Sequence, residues 1–415
     1  MAGGMKVVVV TYGTEGDTRP LSALCRALMD VGHEVHLLAD GATLGSAAAL
    51  GVPATALAGD IRETLRPSKE STPTDTARAL AAIANANTET WLRQIVSVAK
   101  GCDAIILSAL AAFVGLSAAE YLDVQAIGAG FIPITPTAEF PPPLVPPGFV
   151  PHWLNRPSYK WVNSLVWGLL RKTTNAARAR VCGLPPRKKV WSDHPMLYGV
   201  SPSLLPRPSD YPDNIYVCGQ WVPPAPDWSP PPDLVEFLAA GEPPLYLGFG
   251  SMAGLVQPGL LEELIGAVAG RRVLFYPGWS DVRSSDLPPG FCVVRDTPHD
   301  WLFPRTSAVI HHGGAGTTHS AARAGVPSVV VPLAGDQFFW ADRLARLGVA
   351  PAPVKVRKLR AASLARSIAQ AEKADVRARS AALGAQMAGE QGLAHAISAI
   401  GTLMMTRTQT SRGNS

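Results

Sequence analysis

Val309-Ile-His-His-Gly-Gly-Ala-Gly-Thr-Thr318 runs from an apolar strand into a glycine-rich turn and then into a helical pattern through Gly325. Small residues there let backbone N–H groups and the positive end of a helix approach an anion, and His311 or His312 can add a side-chain donor. Each helix-end contact is worth only ~0.3–1 kcal/mol on an exposed surface, so several donors must converge on one diphosphate. The same residues also suit a plain strand–helix turn with two packed histidines.

Two further clusters carry polar chemistry. Thr11-Tyr-Gly-Thr-Glu-Gly-Asp-Thr-Arg-Pro20 follows the first apolar strand and precedes a helix, which projects Asp17 from the strand end as a candidate general base. Asp17 also fits as the cap of that helix, with Pro20 in its first turn. Pro332-Leu-Ala-Gly-Asp-Gln-Phe-Phe-Trp-Ala-Asp342 places a carboxylate and an amide beside aromatic surface. Asp336 and Gln337 suit sugar hydroxyls and Trp340 suits the apolar face of a sugar ring; alternatively Asp336 caps a helix whose aromatic residues are core. No Asp-x-Asp pair occurs in the chain, so the carboxylate clip for a metal-bound diphosphate is missing, and no metal site is expected.

Strands and helices must hold these clusters in place. Apolar runs at Lys6–Thr11, Glu34–Leu38, Ala104–Leu107 and Val124–Ile127 alternate with helical patterns, the rhythm of parallel βαβ units. It restarts after Trp228 with runs at Leu245–Phe249, Arg272–Tyr276, Phe291–Val294, Ala308–His311 and Ser328–Val331. Between them, residues 222–232 hold six prolines, which favour an extended linker. The expected architecture is α/β, with two doubly wound Rossmann-like domains facing across a cleft where ligands of open sheets bind. The expected boundaries are a first Rossmann-like domain over 1–221, the linker, a second with C-terminal helices over 233–405, and a flexible tail over 406–415; the family resemblance described below would make the first acceptor-binding and the second nucleotide-sugar-binding.

Composition agrees with this frame. Of 415 residues, 47% are apolar and 17% charged, a balance that fits a well-buried globular chain and excludes low-complexity disorder. The net charge of +5 is too small to suggest non-specific nucleic-acid binding. The five cysteines, Cys25, Cys102, Cys182, Cys218 and Cys292, are too far apart for a metal clip and odd in number, which favours a reducing cytoplasm. The N-terminal apolar run is too short for an export signal, and no stretch reaches the ~20 residues of a spanning helix.

Charge is unevenly distributed. Between Glu139 and Asp193 no acidic residue occurs, while nine residues are basic and four are tryptophan. Within it Trp161, Leu165 and Leu169 lie at helical spacing, as in a helix that rests on an anionic membrane surface. The competing expectation is a pocket-lining helix with a solvated basic back, the pocket being that of the acceptor if the resemblance given next holds.

Taken together, His311–Thr318, Asp336-Gln337, Gly248-Phe-Gly-Ser251 and Gly13-Thr-Glu-Gly-Asp17 resemble the nucleotide-sugar-dependent family 1 glycosyltransferases of the GT-B fold. Pro298-His-Asp-Trp-Leu-Phe-Pro304 and Leu197-Tyr-Gly-Val-Ser-Pro-Ser-Leu-Leu-Pro-Arg-Pro208 are similar to the sterol 3β-glucosyltransferases and bacterial natural-product relatives. The resemblance implies a metal-independent, inverting transfer of glucose from UDP-glucose to a hydroxyl of a hydrophobic polycyclic acceptor. UDP-glucose would be a co-substrate, with no further cofactor. Asp17 would deprotonate the acceptor, and Ser251, His311, Gly313, Gly314, Ala315, Gly316 and Thr317 would grip the diphosphate. Phe113, Phe131 and Trp161 are assigned to the acceptor pocket. Plant members carry histidine at the Asp17 position, backed by an aspartate where the strand Ala104–Ser108 ends; here that residue is Ser108. The alternatives are another donor, such as a TDP-deoxysugar, or a non-catalytic nucleotide-binding protein that keeps the fold.

Overall fold

Short runs rich in valine, isoleucine and leucine form strands here because helices cover both faces of each sheet, so every position of the strand gains from burial. The computed structural model describes residues 4–65, 73–224, 228–250, 258–278, 282, 286–356 and 359–413. The chain begins β1 (Lys6–Tyr12), α1 (Glu15–Asp30), β2 (Glu34–Asp40), α2 (Gly45–Ala49), β3 (Ala54–Leu57), α3 (Ile61–Thr64) and α4 (Pro73–Val98). It continues β4 (Ala104–Ala109), α5 (Ala112–Leu122), β5 (Gln125–Gly130), α6 (Asn155–Ala177), β6 (Met196–Tyr198) and β7 (Ile215–Val217). A second series runs α7 (Pro232–Ala239), β8 (Leu245–Gly248), α8 (Pro258–Ala267), β9 (Val273–Tyr276), β10 (Phe291–Val293), α9 (His299–Leu302) and β11 (Ala308–His311). After it come α10 (Ala315–Arg323), β12 (Ser328–Val330), α11 (Gln337–Arg346), α12 (Ala361–Ala371), α13 (Ala374–Ala388) and α14 (Gly392–Gly413).

The strands form two sheets, ordered β3-β2-β1-β4-β5-β6-β7 and β10-β9-β8-β11-β12. Every pairing is parallel. The strand order reverses between β1 and β4 in one sheet and between β8 and β11 in the other, and such switch points open a crevice at the carboxyl edge. The turns that leave β1 and β11 therefore start at the two crevices. In the second sheet, His311 stands level with Gly248 and Val330, and Gly248 with Tyr276.

Each sheet is a wall between two apolar clusters. Val7 and Val9 point toward α1, whereas Val8 and Val10 point toward α4 and α5. In the second sheet Leu245 and Leu247 pack with Leu264 and Leu364, while Tyr246 and Val309 pack with Leu302 and Phe303. A further cluster joins the two halves: Tyr198, Leu205 and Tyr211 bury against Phe339 and Trp340 of α11.

The structure departs from the expected boundaries at the end of the chain. Helix α14 returns to the first sheet, where Ala396, Ala399 and Ile400 join the core of Val7, Val9, Leu24 and Leu28. The spacing of these three residues puts them on one helical face, and α1 offers the apolar partner surface. The last helix thus belongs with the N-terminal sheet rather than with the second domain. It also stays helical to Gly413, past Met405, where a loose tail was expected. All five cysteines are free thiols. Among the described residues, no helix is long and apolar enough to cross a membrane.

Candidate active site

The turn after β1 is closed by its own side chains. Thr14 caps α1: its Oγ1 accepts from the Gly16 N–H at 3.3 Å, and the Thr14 N–H donates to Asp17 Oδ2 at 2.9 Å. Asp17 is therefore the third residue of the helix in a reciprocal capping box, not the cap residue itself. Gly13 is required beside it, because a Cβ there would stand 2.2 Å from Asp17 Oδ2. Burial pushes the Asp17 carboxyl up to about 6, against the lowering effect of its bonds from Thr14. The box occupies Oδ2 and leaves Oδ1 outside it.

The turn after β11 is built differently. Gly313, at φ 91°, sends its N–H back to His311 Nδ1 at 3.1 Å. With Nδ1 accepting, the proton of a neutral ring sits on Nε2, and that nitrogen is buried with no partner. Burial, then the neighbouring His312 and His299, lowers His311 to about 3, so the ring is uncharged at any working pH. His312 is lowered to about 4 by burial, and its Nδ1 also lacks a partner. Helix α10 has no side-chain cap at Gly314. The first N–H groups of the helix, over Ala315, Gly316 and Thr317, have no carbonyl one turn back to bond, which leaves an open positive helix end. Thr318 Oγ1 is buried and unpartnered as well. Glycine is required at 313 and 314, where a Cβ would lie 2.7 Å from Val330 Cγ1 and 2.5 Å from His312 Nε2, respectively.

After β12 the chain turns into α11. Burial raises Asp336 to about 6, and the charge of Asp17, from the other sheet, adds to the rise. Asp336 Oδ2 accepts from Trp340 Nε1–H at 3.0 Å. Gln337 Oε1 accepts from the Leu333 and Ala334 N–H groups at 2.7 and 3.0 Å, which commits its oxygen to bracing the turn. Only its NH2 end remains to meet a ligand.

Several expected positions are corrected. Trp340 is fully buried, edge-on to His319 and Phe339, so it supports Asp336 from the core instead of facing a sugar. The three aromatic residues assigned to the acceptor pocket do not meet. Phe113 packs against Trp167 and Trp191 on the α4–α6 side of the first sheet, while Phe131 packs edge-on to Trp221 on the opposite side. Trp161 points into solvent. Ser251 lies outside the described residues. Ser108 is buried at the end of β4, level with Thr11.

Two features escaped the sequence reading. His299 is stacked on Phe303 at 4.2 Å and lowered to about 4, first by burial and then by the charge of Arg19. Glu15 in the first turn of α1 is raised by burial and senses Asp296, which accepts a hydrogen bond from Tyr276 at 3.1 Å. Both show the start of α1 facing the carboxyl edge of the second sheet. Both lie inside stretches singled out for other reasons, Pro298–Pro304 for its family resemblance and Gly13–Asp17 for that and for Asp17, where neither was given a role of its own.

Two facing parallel sheets with an open helix end on one and a carboxyl on the other define a GT-B arrangement. The fold matches a solved glycosyltransferase of kitacinnamycin with a TM-score of 0.71 at 18% identity, covering 97% of this chain and 99% of that one. It matches the glycosyltransferase VinC, solved with DTDP, with a TM-score of 0.66 at 18% identity, covering 97% and 100%. Residues 261–398 match the family model described as the erythromycin biosynthesis protein CIII-like C-terminal domain. The chain is 33% identical to O-mycaminosyltylonolide 6-deoxyallosyltransferase of Streptomyces fradiae, over 97% of this chain and 99% of the relative. It is 32% identical to a sterol 3-beta-glucosyltransferase of Arabidopsis thaliana, over 95% of this chain and 67% of the relative. A Neurospora crassa sterol 3-beta-glucosyltransferase is also 32% identical over 95% of the chain, which spans only 27% of that longer protein. The chain belongs to this family of GT-B glycosyltransferases and is a glycosyltransferase.

Proposed function

We propose that the enzyme transfers glucose from UDP-glucose to a hydroxyl of a hydrophobic polycyclic acceptor, with inversion and without a metal. Asp17 takes the proton of the acceptor hydroxyl; the oxygen attacks the anomeric carbon from the face opposite UDP. The bond from that carbon to the diphosphate oxygen breaks, and the charge appears on the departing UDP. His311 Nε2–H and the open N-terminus of α10 meet that charge with neutral donors already in place. A base near 6 is largely ionised at neutral pH yet keeps some basicity, which suits proton transfer there. Asp336 and the NH2 of Gln337 hold sugar hydroxyls.

The observation that carries this reading is that the charge of Asp17 reaches Asp336 of the other sheet, whose neighbour Gln337 lies against the glycine-walled end of α10, where buried side-chain groups lack partners. A second donor, a TDP-deoxysugar, is favoured by one fact: the Streptomyces relative that the chain matches end to end is a 6-deoxyallosyltransferase. A donor-by-acceptor screen read by product mass, with the anomeric configuration read by NMR, separates the two. Glucosylated, β-configured product from UDP-glucose in the presence of EDTA supports the proposal. Turnover only with TDP-deoxysugars, retention of configuration, or inhibition by EDTA that magnesium reverses overturns it.

A further inference from the structure

Helix α6 turns its apolar stripe outward. Trp161, Leu165 and Leu169, one turn apart, are 64%, 68% and 55% exposed. Its other side, with Tyr159, Trp167 and Leu170, is already buried. The segment leading into it exposes Phe149 and Trp153 by 78% and 76%. A surface helix ordinarily hides its apolar face, and a contiguous exposed one marks an interaction site.

Charge identifies the partner. Of the nine basic residues between Glu139 and Asp193, Arg178 and Arg187 pair with Glu120, Arg180 with Glu89, and Arg156 approaches Asp210 at 4.0 Å. Lys160, Arg171 and Lys172 on α6 are exposed and form no ion pair among the described residues. A second copy meeting this helix by the same face, as in a symmetric dimer, would set these cations against their own kind. A bilayer with anionic headgroups takes both parts at once, cations at the headgroups and tryptophan and leucine at the acyl boundary.

We propose that Phe149, Trp153 and the Trp161–Leu165–Leu169 stripe seat the protein on an anionic lipid surface. The segment 131–154 leaves β5 at the carboxyl edge of the first sheet, the edge that also carries Asp17. Docking there turns the mouth of the site toward the phase in which a hydrophobic acceptor dissolves. That last consequence rests on the acceptor reading above; the docking itself does not.

The test is co-sedimentation of the full chain with phosphatidylcholine vesicles and with vesicles that also contain phosphatidylglycerol. Binding to the anionic vesicles should be stronger by about tenfold or more and should fall as salt rises. Trp161→Ser with Leu165→Ser and Leu169→Ser should lose binding to both kinds. Lys160→Glu with Lys172→Glu should lose the anionic preference. All these positions are exposed, so the circular dichroism spectrum and melting temperature should stay unchanged. Equal or negligible binding to both vesicle kinds overturns the proposal. So does a dimer that the triple serine variant converts to monomer, which would give the face to a second copy. No turnover is needed, so a failure here is distinct from failure of the glucosyl-transfer reading.

Discussion

The turns after β1 and β11 occupy equivalent switch points of two similar sheets, yet they handle their helix ends in opposite ways. After β1, Thr14 and Asp17 satisfy the helix N-terminus internally, and the helix in return fixes a carboxyl. After β11, glycine stands at the cap, and His311 Nε2, His312 Nδ1 and Thr318 Oγ1 are buried without partners. Orphaned polar groups cost stability. A closed end holds a reacting group still, whereas an open end waits for a ligand to complete it.

The largest test of that contrast is Asp17→Asn. The amide can keep the bond from the Thr14 N–H but cannot take a proton, so turnover should fall by ~10²–10⁴-fold while UDP affinity stays. Equal loss of UDP affinity would show that the closed turn also binds donor. Next in size is His311→Ala, which removes a donor from the open turn. It should cost ~2.7–4 kcal/mol at the transition state and also weaken UDP binding in calorimetry. Unchanged values for both would transfer the role to His312 or the backbone.

Asp336→Asn separates stability from chemistry. The folded carboxyl is raised to about 6, so the folded state holds its proton where the unfolded chain has released it. Its favourable contribution is therefore full below about pH 4 and is lost as pH rises through about 6. The asparagine variant should be more stable than the parent at pH 7, by about 1–3 kcal/mol, with the gap closing toward pH 4. Melting curves across that window read the effect, and a gap constant with pH would show that Asp336 is not raised. The smallest expected change is Thr14→Ala, ~0.5–2 kcal/mol of stability from the lost cap. Alanine keeps the backbone N–H bond to Asp17 and loses only the Thr14 hydroxyl, whose bond also holds the Asp17 pKa down, so the acidic limb of the rate profile should move slightly to higher pH in this variant. A limb that stays in place would detach Asp17 from its cap.

Much of this was legible in residue order. The runs from Lys6–Thr11 to Ser328–Val331 became strands, because an apolar run of that length between turn residues has few other ways to bury itself. Strands β3, β6 and β7, three or four residues each toward the two edges of the first sheet, were not read; pairing with β2, with β5 and, for β7, with β6 holds them there. Asp17, His311, Asp336 and Gln337 were named because a polar residue just past a parallel strand stands at the carboxyl edge. The acceptor-pocket residues were not recovered in the same way. Phe113, Phe131 and Trp161 differ in which side of a sheet or helix they occupy, and local spacing does not specify that.

The sequence alone determined the alternation of strand and helix, the glycines that leave room for Asp17 and His312, and the polar residues at strand ends, since these follow from local sterics and periodicity. Tertiary structure decided the rest. Packing against α1 carried α14 back to the first sheet, and burial in the α11 cluster turned Trp340 from a sugar platform into a brace for Asp336. It also left Trp161 in solvent and raised Asp17 by burial and Asp336 by burial and the nearby charge of Asp17, because such burial and such an approach exist only once distant parts of the chain have met.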